Sequence, residues 1–190
     1  MKEELSRLFS AFTRAEAAFE LTDEETKVSR WLRRLRAKWL LRRARRLFEK
    51  HLEAKAEITS RVLNIGARIY FHSADYMRAI KYAKDILKRD IGANQRALAL
   101  AILAECHEMI GNSEKPEDTF KLIFAELDHK LEPINQIRIL RSRAGFEGRR
   151  GNIKKAERYI KRARNIAGER GFVDELHKLD ALEMMLLRKR

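Results

Sequence analysis

The densest group of side chains that could do chemistry is a run of cations at residues 27–50. Eleven of these 24 residues are Lys or Arg and only Glu49 is acidic, so the run carries +10 of the chain's formal net charge of +14. A helix with this charge repels itself, and guanidinium groups bind carboxylates and phosphates through charge-assisted hydrogen bonds. The chemistry predicted for this run, called here the basic arm, is the binding of an anionic partner.

The basic arm also contains both tryptophans of the chain, Trp31 and Trp39. Leucines share their helical sector, so we interpret the tryptophans as packing anchors, with stacking on nucleic-acid bases as the alternative. The predicted anion-binding residues are the arginines without acidic neighbours: Arg33, Arg34, Arg42, Arg43, Arg45 and Arg46. The alternative for these arginines is an ordinary solvated helix surface.

Catalytic and metal-binding patterns are not found in the sequence. The five histidines show no HExxH or other ligand spacing, and Cys106 is the only cysteine. On a helix, Cys106 and His107 point about 100° apart and do not form a nucleophile–base pair. The chain also has no Gly-rich phosphate loop. We therefore predict no enzymatic activity, no metal site and no cofactor.

Composition predicts an all-α protein. The chain is 45% apolar and 37% charged, with eight glycines and two prolines, which is typical of helices and argues against a sheet or a disordered coil. The longest apolar run, residues 97–104, is too short to span a bilayer. A single cysteine suits a reducing compartment, and the N-terminus lacks the apolar core of a signal peptide. We expect a soluble cytoplasmic protein.

Helical spacing of apolar residues, together with turn residues, predicts where the helices lie. The predicted helices are residues 3–21, 23–73, 75–90, 94–110, 116–130, 134–149, 152–168 and 172–188. The long helix is predicted because Thr22 and Glu25 form a capping box and no Gly or Pro follows before Gly66. Continuity over about 50 residues is permitted by this pattern but not required.

The apolar face of this long segment changes side near residue 40. One sector of about 100° contains Val28, Trp31, Leu32, Leu35 and Trp39. The opposite side contains Leu40, Leu41, Ala44, Leu47 and Phe48. Either the helix breaks near residues 37–41 or its two halves pack against different surfaces. We favour the second alternative, in which residues 40–72 pack on the body of the protein and the segment with the tryptophans meets the N-terminal helix or a partner.

Beyond residue 60 the sequence repeats a pattern of small residues and polar turns. Ala79 and Ala156 occupy matching positions 77 residues apart, each after a Gly/Asp/Asn-type turn, and a weaker copy lies between them. Residues 56–167 resemble the tetratricopeptide repeat (TPR), with residues 172–190 as a capping helix. The resemblance implies antiparallel helix pairs stacked as a short α-solenoid, preceded by a long basic N-terminal helix. The implied domains are residues 1–55 and 56–190.

The resemblance also implies a partner-binding groove on the concave face formed by the first helix of each pair. Matching the three copies to the repeat pattern places on this face Arg61, Asn64, Arg68, Phe71, Glu105, Glu108, Met109, Arg138, Arg141 and Arg149. A mostly cationic groove favours an acidic peptide or a phosphate as ligand. Residues 138–164 carry many further cations and only two acids, Glu147 and Glu157, and we interpret them equally well as a binding surface or a solvated one.

Three functional hypotheses follow from these patterns. The first is a non-enzymatic adaptor or scaffold that binds an acidic protein or peptide through the repeat array and the basic arm. The second is a nucleic-acid-binding component, for example an RNA-binding subunit, in which the Arg-rich helix neutralises phosphates. The third is peripheral association with an anionic membrane, which the change of apolar face near residue 40 disfavours.

Overall fold

A computed structural model describes the backbone of residues 2–19, 27–54, 58–112 and 114–187. Side chains are described at residues 6–14, 35–54, 58–112, 115–125 and 128–187. Within these ranges the chain is helical between short turns and has no strand, so the prediction of an all-α fold is confirmed. In the same ranges no helix is long and apolar enough to cross a membrane. The predicted capping box of Thr22 with Glu25 lies outside the described residues.

The chain divides into two compact units, Met1–Asp90 (unit 1) and Ile91–Arg190 (unit 2). The predicted domain boundary between residues 55 and 56 does not coincide with this division. The basic arm therefore belongs to the same compact unit as the first helix pair of the repeat-like region.

The described part of unit 1 consists of helices that pack in pairs. They are α1 (Lys2–Phe19), α2 (Lys27–Glu53), α3 (Ser60–His72) and α4 (Tyr76–Leu87). Helix α1 packs on α2, α3 packs on α4, and α2 also contacts α3. The core between them is aromatic, because the ring of Phe48 lies edge-on to Tyr70 at 6.1 Å and to Tyr82 at 5.3 Å. The basic arm is thus one member of a packed helix pair.

The stretch at residues 23–73, where a continuous helix was permitted but not required, contains two helices, α2 and α3. The side-chain oxygen of Thr59 accepts a hydrogen bond from the backbone N–H of Val62 at 3.3 Å and caps the first turn of α3. A threonine cap therefore begins a new helix where the sequence has neither Gly nor Pro.

Helix α2 packs closely against α3 at Gly66. A Cβ atom on this residue would lie 2.2 Å from Cζ of Phe48, whose side chain is fully buried. The missing side chain of Gly66 therefore leaves room for the Phe48 ring. This contact holds one face of α2 against the unit and leaves the opposite face outward.

Unit 2 is built from five further helices in its described part. They are α5 (Ala93–Met109), α6 (Glu114–Leu122), α7 (Pro133–Arg149), α8 (Ile153–Arg170) and α9 (Val173–Leu187). Helix α6 continues as a π-helical turn, Ile123–Leu127, and a 3-10 turn, Asp128–Lys130. The helix pairs are α5 with α6 and α7 with α8; α7 also contacts α5, and α9 packs on both α7 and α8.

The two alanines with matching sequence positions lie in matching structural positions. Ala79 is in α4 and Ala156 is in α8, each in the second helix of a pair, and both side chains are fully buried. The backbone turns that end α7 and α8 place Gly151 and Gly171 at φ of 79° and 67°, a conformation that favours glycine. The sequence pattern therefore identified these helix pairs, and membership of the repeat family stays a prediction.

Candidate functional site

One face of α2 is buried and fixes the orientation of the whole helix. The buried side chains recur at helical spacing and include Ala37, Leu40, Leu41, Ala44 and Phe48. They correspond to the sector predicted to pack on the body of the protein, together with Ala37 at its N-terminal side. Because the helix is held along this face, the residues about 180° away must point to solvent.

The outward side of α2 is a strip of cations interrupted by two large apolar side chains. Its members are Leu35, Arg36, Lys38, Trp39, Arg42, Arg43 and Arg46, all exposed, and this set is called the basic face. At 1.5 Å per residue the strip is about 17 Å long. It therefore presents five cations within the reach of a single partner surface.

The cations of the basic face are not neutralised by any acidic side chain that the structure describes. Arg36, Lys38, Arg42 and Arg46 form no ion pair or hydrogen bond with any residue that the structure describes. Arg43 stacks over Trp39, with the guanidinium carbon 5.8 Å from the ring centroid. Like charges at i,i+4, such as Lys38 with Arg42, repel each other in the absence of an anion. Because an anionic ligand would relieve this repulsion, the charge of the basic face favours the binding of an anion.

The single acid of the basic arm, Glu49, lies on the flank of α2 and is already engaged. Its Oε1 accepts hydrogen bonds from Arg45 Nε at 2.9 Å and from the Tyr70 hydroxyl at 3.0 Å, with Arg78 at 3.7 Å. The hydrogen bond from Arg45 is the main reason that the pKa of Glu49 lies below its usual value of 4.5. Glu49 is therefore bound to these partners on the flank of α2 and does not pair with the cations of the basic face.

Arg45 differs from the other arginines predicted to bind anions. Besides its ion pair with Glu49, its guanidinium carbon lies 5.2 Å from the centroid of the Tyr70 ring. It is half-buried and helps to hold α2 against α3. We therefore assign Arg45 a structural role and exclude it from the basic face. Trp31, Arg33 and Arg34 lie in the N-terminal part of α2, and their side chains are outside the described residues.

Trp39 does not serve as a packing anchor within the protein. Its side chain is 55% exposed, and Leu35 one turn earlier is 45% exposed. Beside it lies a shallow cavity of about 370 Å³ lined by Trp39, Arg43, Arg46, Leu47 and Lys50. The interpretation of Trp39 as an internal anchor is therefore wrong, and the ring is available to a partner.

The predicted groove residues in unit 1 are placed separately on α3. Arg61 is exposed and Asn64 is half-buried. Arg68 stacks over the ring of Phe12 at 5.1 Å and Phe71 contacts Tyr76 with ring centroids 5.9 Å apart. Packing within unit 1 therefore accounts for Arg68 and Phe71.

In unit 2 the predicted groove residues are largely bonded to one another or to α9. Glu105 accepts a hydrogen bond from Ser142, and Glu108 forms an ion pair with Arg149. Arg141 pairs with the buried Glu175 at 3.1 Å. These contacts join α5 to α7 and α7 to α9, so they neutralise most of the charge that suggested a cationic groove.

Two predicted groove residues in unit 2 remain outside this network. Met109 is exposed at the end of α5. Arg138 is half-buried and lines a cavity of about 440 Å³ together with Phe172, Asp174 and Lys178. The cavity contains both signs of charge and is less suited to a purely anionic ligand than the basic face.

The second run of basic residues, 138–164, is compensated by acids that are distant in sequence. The buried Arg143 binds Glu117 at 2.9 Å and lies between the rings of Phe120 and Phe146. This hydrogen bond is the main reason that the pKa of Glu117 lies below its usual value. Two further arginines have acidic partners: Arg162 pairs with Asp128, and Arg164 pairs with Asp180 and Glu183. Much of this run is therefore structural.

The lone cysteine is part of the core of unit 2. Cys106 is fully buried in α5, and burial raises the pKa of its thiol to about 12. At neutral pH the thiol is protonated and has no access to solvent, which leaves it a poor nucleophile. Within the described residues no cluster of three or more His, Cys, Asp or Glu could hold a metal ion.

Comparison of the chain with models of known protein families found no match, and comparison with curated proteins found none either. The functional argument therefore depends on the geometry of the basic face. The signal that identified it in the sequence is the density of cations together with the change of apolar sector near residue 40.

Proposed function

We propose that the chain is a non-enzymatic adaptor that binds an acidic partner protein on the basic face of α2. The observation that carries this proposal is the exposure of Trp39 among five cations, none of which has an ion-pair partner in the described part of the chain. Anchoring α2 through its buried face pre-organises this strip, so little conformational entropy is lost when a partner binds.

The combination of apolar and cationic side chains favours a protein as the partner. Protein interfaces concentrate their binding energy in exposed Trp, Tyr and Arg residues near the centre of the contact. On the basic face, Leu35 and Trp39 supply apolar area, and Arg42, Arg43 and Arg46 surround them with donors for carboxylates. Complementary charge would speed association and select acidic partners.

We infer that the helix pairs act as the scaffold in this adaptor and are degenerate TPR-like units. The equivalent burial of Ala79 and Ala156 in the second helix of two pairs supports this part of the proposal. A second contact of such an adaptor would use the first helices of the pairs. Arg138 and Met109 are the groove residues in unit 2 that internal ion pairs leave available.

Nucleic acid is the second candidate for the partner, and Arg43 stacked on Trp39 is the observation that favours it. An exposed tryptophan beside arginines can stack on a base while its neighbours bind phosphates. The two candidates differ in their salt dependence. Binding to single-stranded nucleic acid weakens with a slope of log affinity against log salt of about 0.7 per phosphate contact.

The test compares two triple variants with the native chain. Arg42→Gln, Arg43→Gln and Arg46→Gln together remove three charges from the basic face, and Gln keeps a similar helix propensity. Lys154→Gln, Arg158→Gln and Lys161→Gln remove the same charge from exposed positions on α8 and serve as the matched control. The probes are a 20-residue poly-glutamate peptide, a 20-nucleotide single-stranded RNA, and vesicles with and without phosphatidylserine, titrated at several KCl concentrations.

We expect poly-glutamate to bind the native chain and the α8 control equally. The basic-face variant should bind it about 3- to 150-fold more weakly, since three exposed ion pairs at about 0.2–1 kcal/mol each sum to about 0.6–3 kcal/mol. Equal binding of poly-glutamate by both variants would show that the basic face is an ordinary solvated surface. RNA binding alone, with a salt slope that decreases by about 0.7 for each arginine removed, would instead identify nucleic acid as the partner. Binding only to phosphatidylserine vesicles would identify a membrane surface.

A further inference from the structure

The apolar residues on the outward side of α2 follow the spacing of a helix–helix contact. Leu35 and Trp39 are one turn apart and both are exposed. The half-buried Leu47, at the edge of the buried face, lines the shallow cavity beside Trp39. Leu35 and Trp39 therefore form an exposed apolar pair on the outward side of α2.

Cations lie on both sides of this pair and in line with it. Arg42 and Arg43 follow Trp39 at i+3 and i+4 and flank it, and Arg46 follows at i+7, about two turns further along the same side of the helix. A partner helix lying alongside α2 would present side chains with the same period. Carboxylates flanking an apolar stripe on that helix would each meet a guanidinium group of the basic face.

Peptide recognition by strand addition has no counterpart in the described part of the protein. An extended peptide that adds a strand needs a sheet edge with unpaired backbone groups, and the described residues include no strand. The backbone N–H and C=O groups in the middle of α2 are hydrogen-bonded within the helix. A partner of the basic face can therefore be recognised only through side chains, as one helix recognises another.

Together these observations indicate which kind of partner segment binds the basic face. We propose that the partner segment is an acidic amphipathic helix that packs along α2, with its apolar side chains against Leu35 and Trp39 and its carboxylates on Arg42, Arg43 and Arg46. This inference depends on the proposed function, because it names the chemistry of the partner at the same face. The net positive charge of the face, without an acid among its seven members, selects an acidic helix over a basic one.

The side chains of the basic face contribute to partner binding in different ways. Trp39 is the anchor, because a large aromatic ring contributes the most apolar contact area at low entropic cost. Arg43 is held beside it by the cation–π contact at 5.8 Å and is oriented before the partner arrives. Arg42 and Arg46 have no such contact in the described residues and act mainly by steering the partner during association.

The test uses designed peptides of one composition and two patterns. The patterned 21-residue peptide has Leu at i, i+3, i+4 and i+7 positions of one helical face and Glu on both flanks. The scrambled peptide contains the same residues with the leucines spread around the helix. Each is titrated into the full chain by fluorescence anisotropy, and helicity is followed by circular dichroism. Trp39→Ala is compared with Met77→Ala, a control at a residue of α4 that is 69% exposed.

The patterned peptide should bind at least about tenfold tighter than the scrambled one and gain helicity on binding. Trp39→Ala should weaken the patterned peptide by about 10- to 100-fold, the range of an interface anchor, and bring it to the level of the scrambled peptide. Met77→Ala should change its affinity by less than about twofold. Since Trp39 is mostly exposed, its removal should leave the far-UV spectrum and melting temperature of the chain unchanged.

The outcomes separate this inference from the proposed function. Equal binding of the two peptides, both weakened by the arginine-to-glutamine triple variant, would overturn the helical partner and leave an acidic partner in place. The same conclusion would follow if Trp39→Ala left the affinity of the patterned peptide unchanged. Failure of both acidic peptides to bind, with binding of RNA or phosphatidylserine vesicles, would overturn both proposals.

Discussion

Replacing Gly66 by alanine tests whether α2 is held against α3 as the structure describes. The added Cβ would lie 2.2 Å from Cζ of Phe48 and less than 3 Å from both neighbouring ring carbons. Ordinary contacts begin at 3.4 Å, so the ring would have to move by more than 1 Å. Phe48 is fully buried and packs edge-on against Tyr70 and Tyr82, which leaves it little space to move.

The expected size of the effect is the difference between two opposing contributions. Overpacking of a core typically costs about 1–3 kcal/mol. Replacing Gly by Ala inside a helix stabilises it by about 1 kcal/mol through propensity. We therefore expect Gly66→Ala to lower the free energy of unfolding by up to about 2 kcal/mol, although the same substitution at an open helical site would raise it.

Urea unfolding followed by circular dichroism measures this difference. Gly168→Ala in α8 is the control, since no atom lies within 4 Å of a Cβ placed there, and it should stabilise the chain by up to about 1 kcal/mol. Adding Phe48→Leu to Gly66→Ala should relieve the clash, so the two changes should couple by about 0.5–3 kcal/mol in a double-mutant cycle. Equal stabilisation by both glycine variants, without coupling to Phe48, would refute the contact between α2 and α3 at this point.

Two further predictions concern the helix pairs and the buried charges. Ala79→Arg and Ala156→Arg should each unfold the local helix pair, because a charged side chain would be forced into a fully buried site; unchanged melting temperatures in both variants would mean that these alanines do not face a neighbouring helix. The lowered pKa values of Glu49 and Glu117 mean that their contribution to stability is complete above pH 4.5 and is lost as the pH falls through their folded-state pKa values. Urea midpoints measured from pH 7 to pH 3 should therefore fall below pH 4.5, and Glu49→Gln with Glu117→Gln should make that fall shallower.

The helices could be predicted from the sequence wherever turn chemistry marks their ends. The predicted helix at residues 152–168 is α8, Ile153–Arg170, and the predicted helix at residues 94–110 is α5, Ala93–Met109. Gly171, at positive φ, ends α8, and the apolar period defines the interior of each helix. The sequence left open whether the chain breaks between α2 and α3, because the side-chain cap of α3 is Thr59 and a threonine within a polar stretch gives no comparable signal.

The candidate site was predictable in part from the phase of α2. The change of apolar sector near residue 40 correctly assigned Leu40, Ala44 and Phe48 to the buried side and left Arg42 and Arg46 outward. The exposure of Trp39 was not predicted, since sharing a sector with leucines does not show whether that sector meets another helix. Arg45 was misassigned although its ion-pair partner Glu49 stands four residues later in α2. Its second partner, the ring of Tyr70, lies in α3 and comes near only through packing.

The two basic runs of the chain, residues 27–50 and 138–164, differ in how far acidic side chains neutralise them. Counting the charges near each run in the sequence does not reveal this difference. Arg143 binds Glu117, which lies 26 residues earlier, and Arg149 binds Glu108, which lies 41 residues earlier. Tertiary packing therefore neutralises charges that have no acidic neighbour in the sequence. On the basic face the same packing turns the cations away from every described acid. Lys38, Arg42 and Arg46 then stand at successive i,i+4 spacings, where each like-charged pair costs a few tenths of a kcal/mol. An anionic partner would remove that repulsion on binding, which is the physical reason to seek the function of this protein at α2.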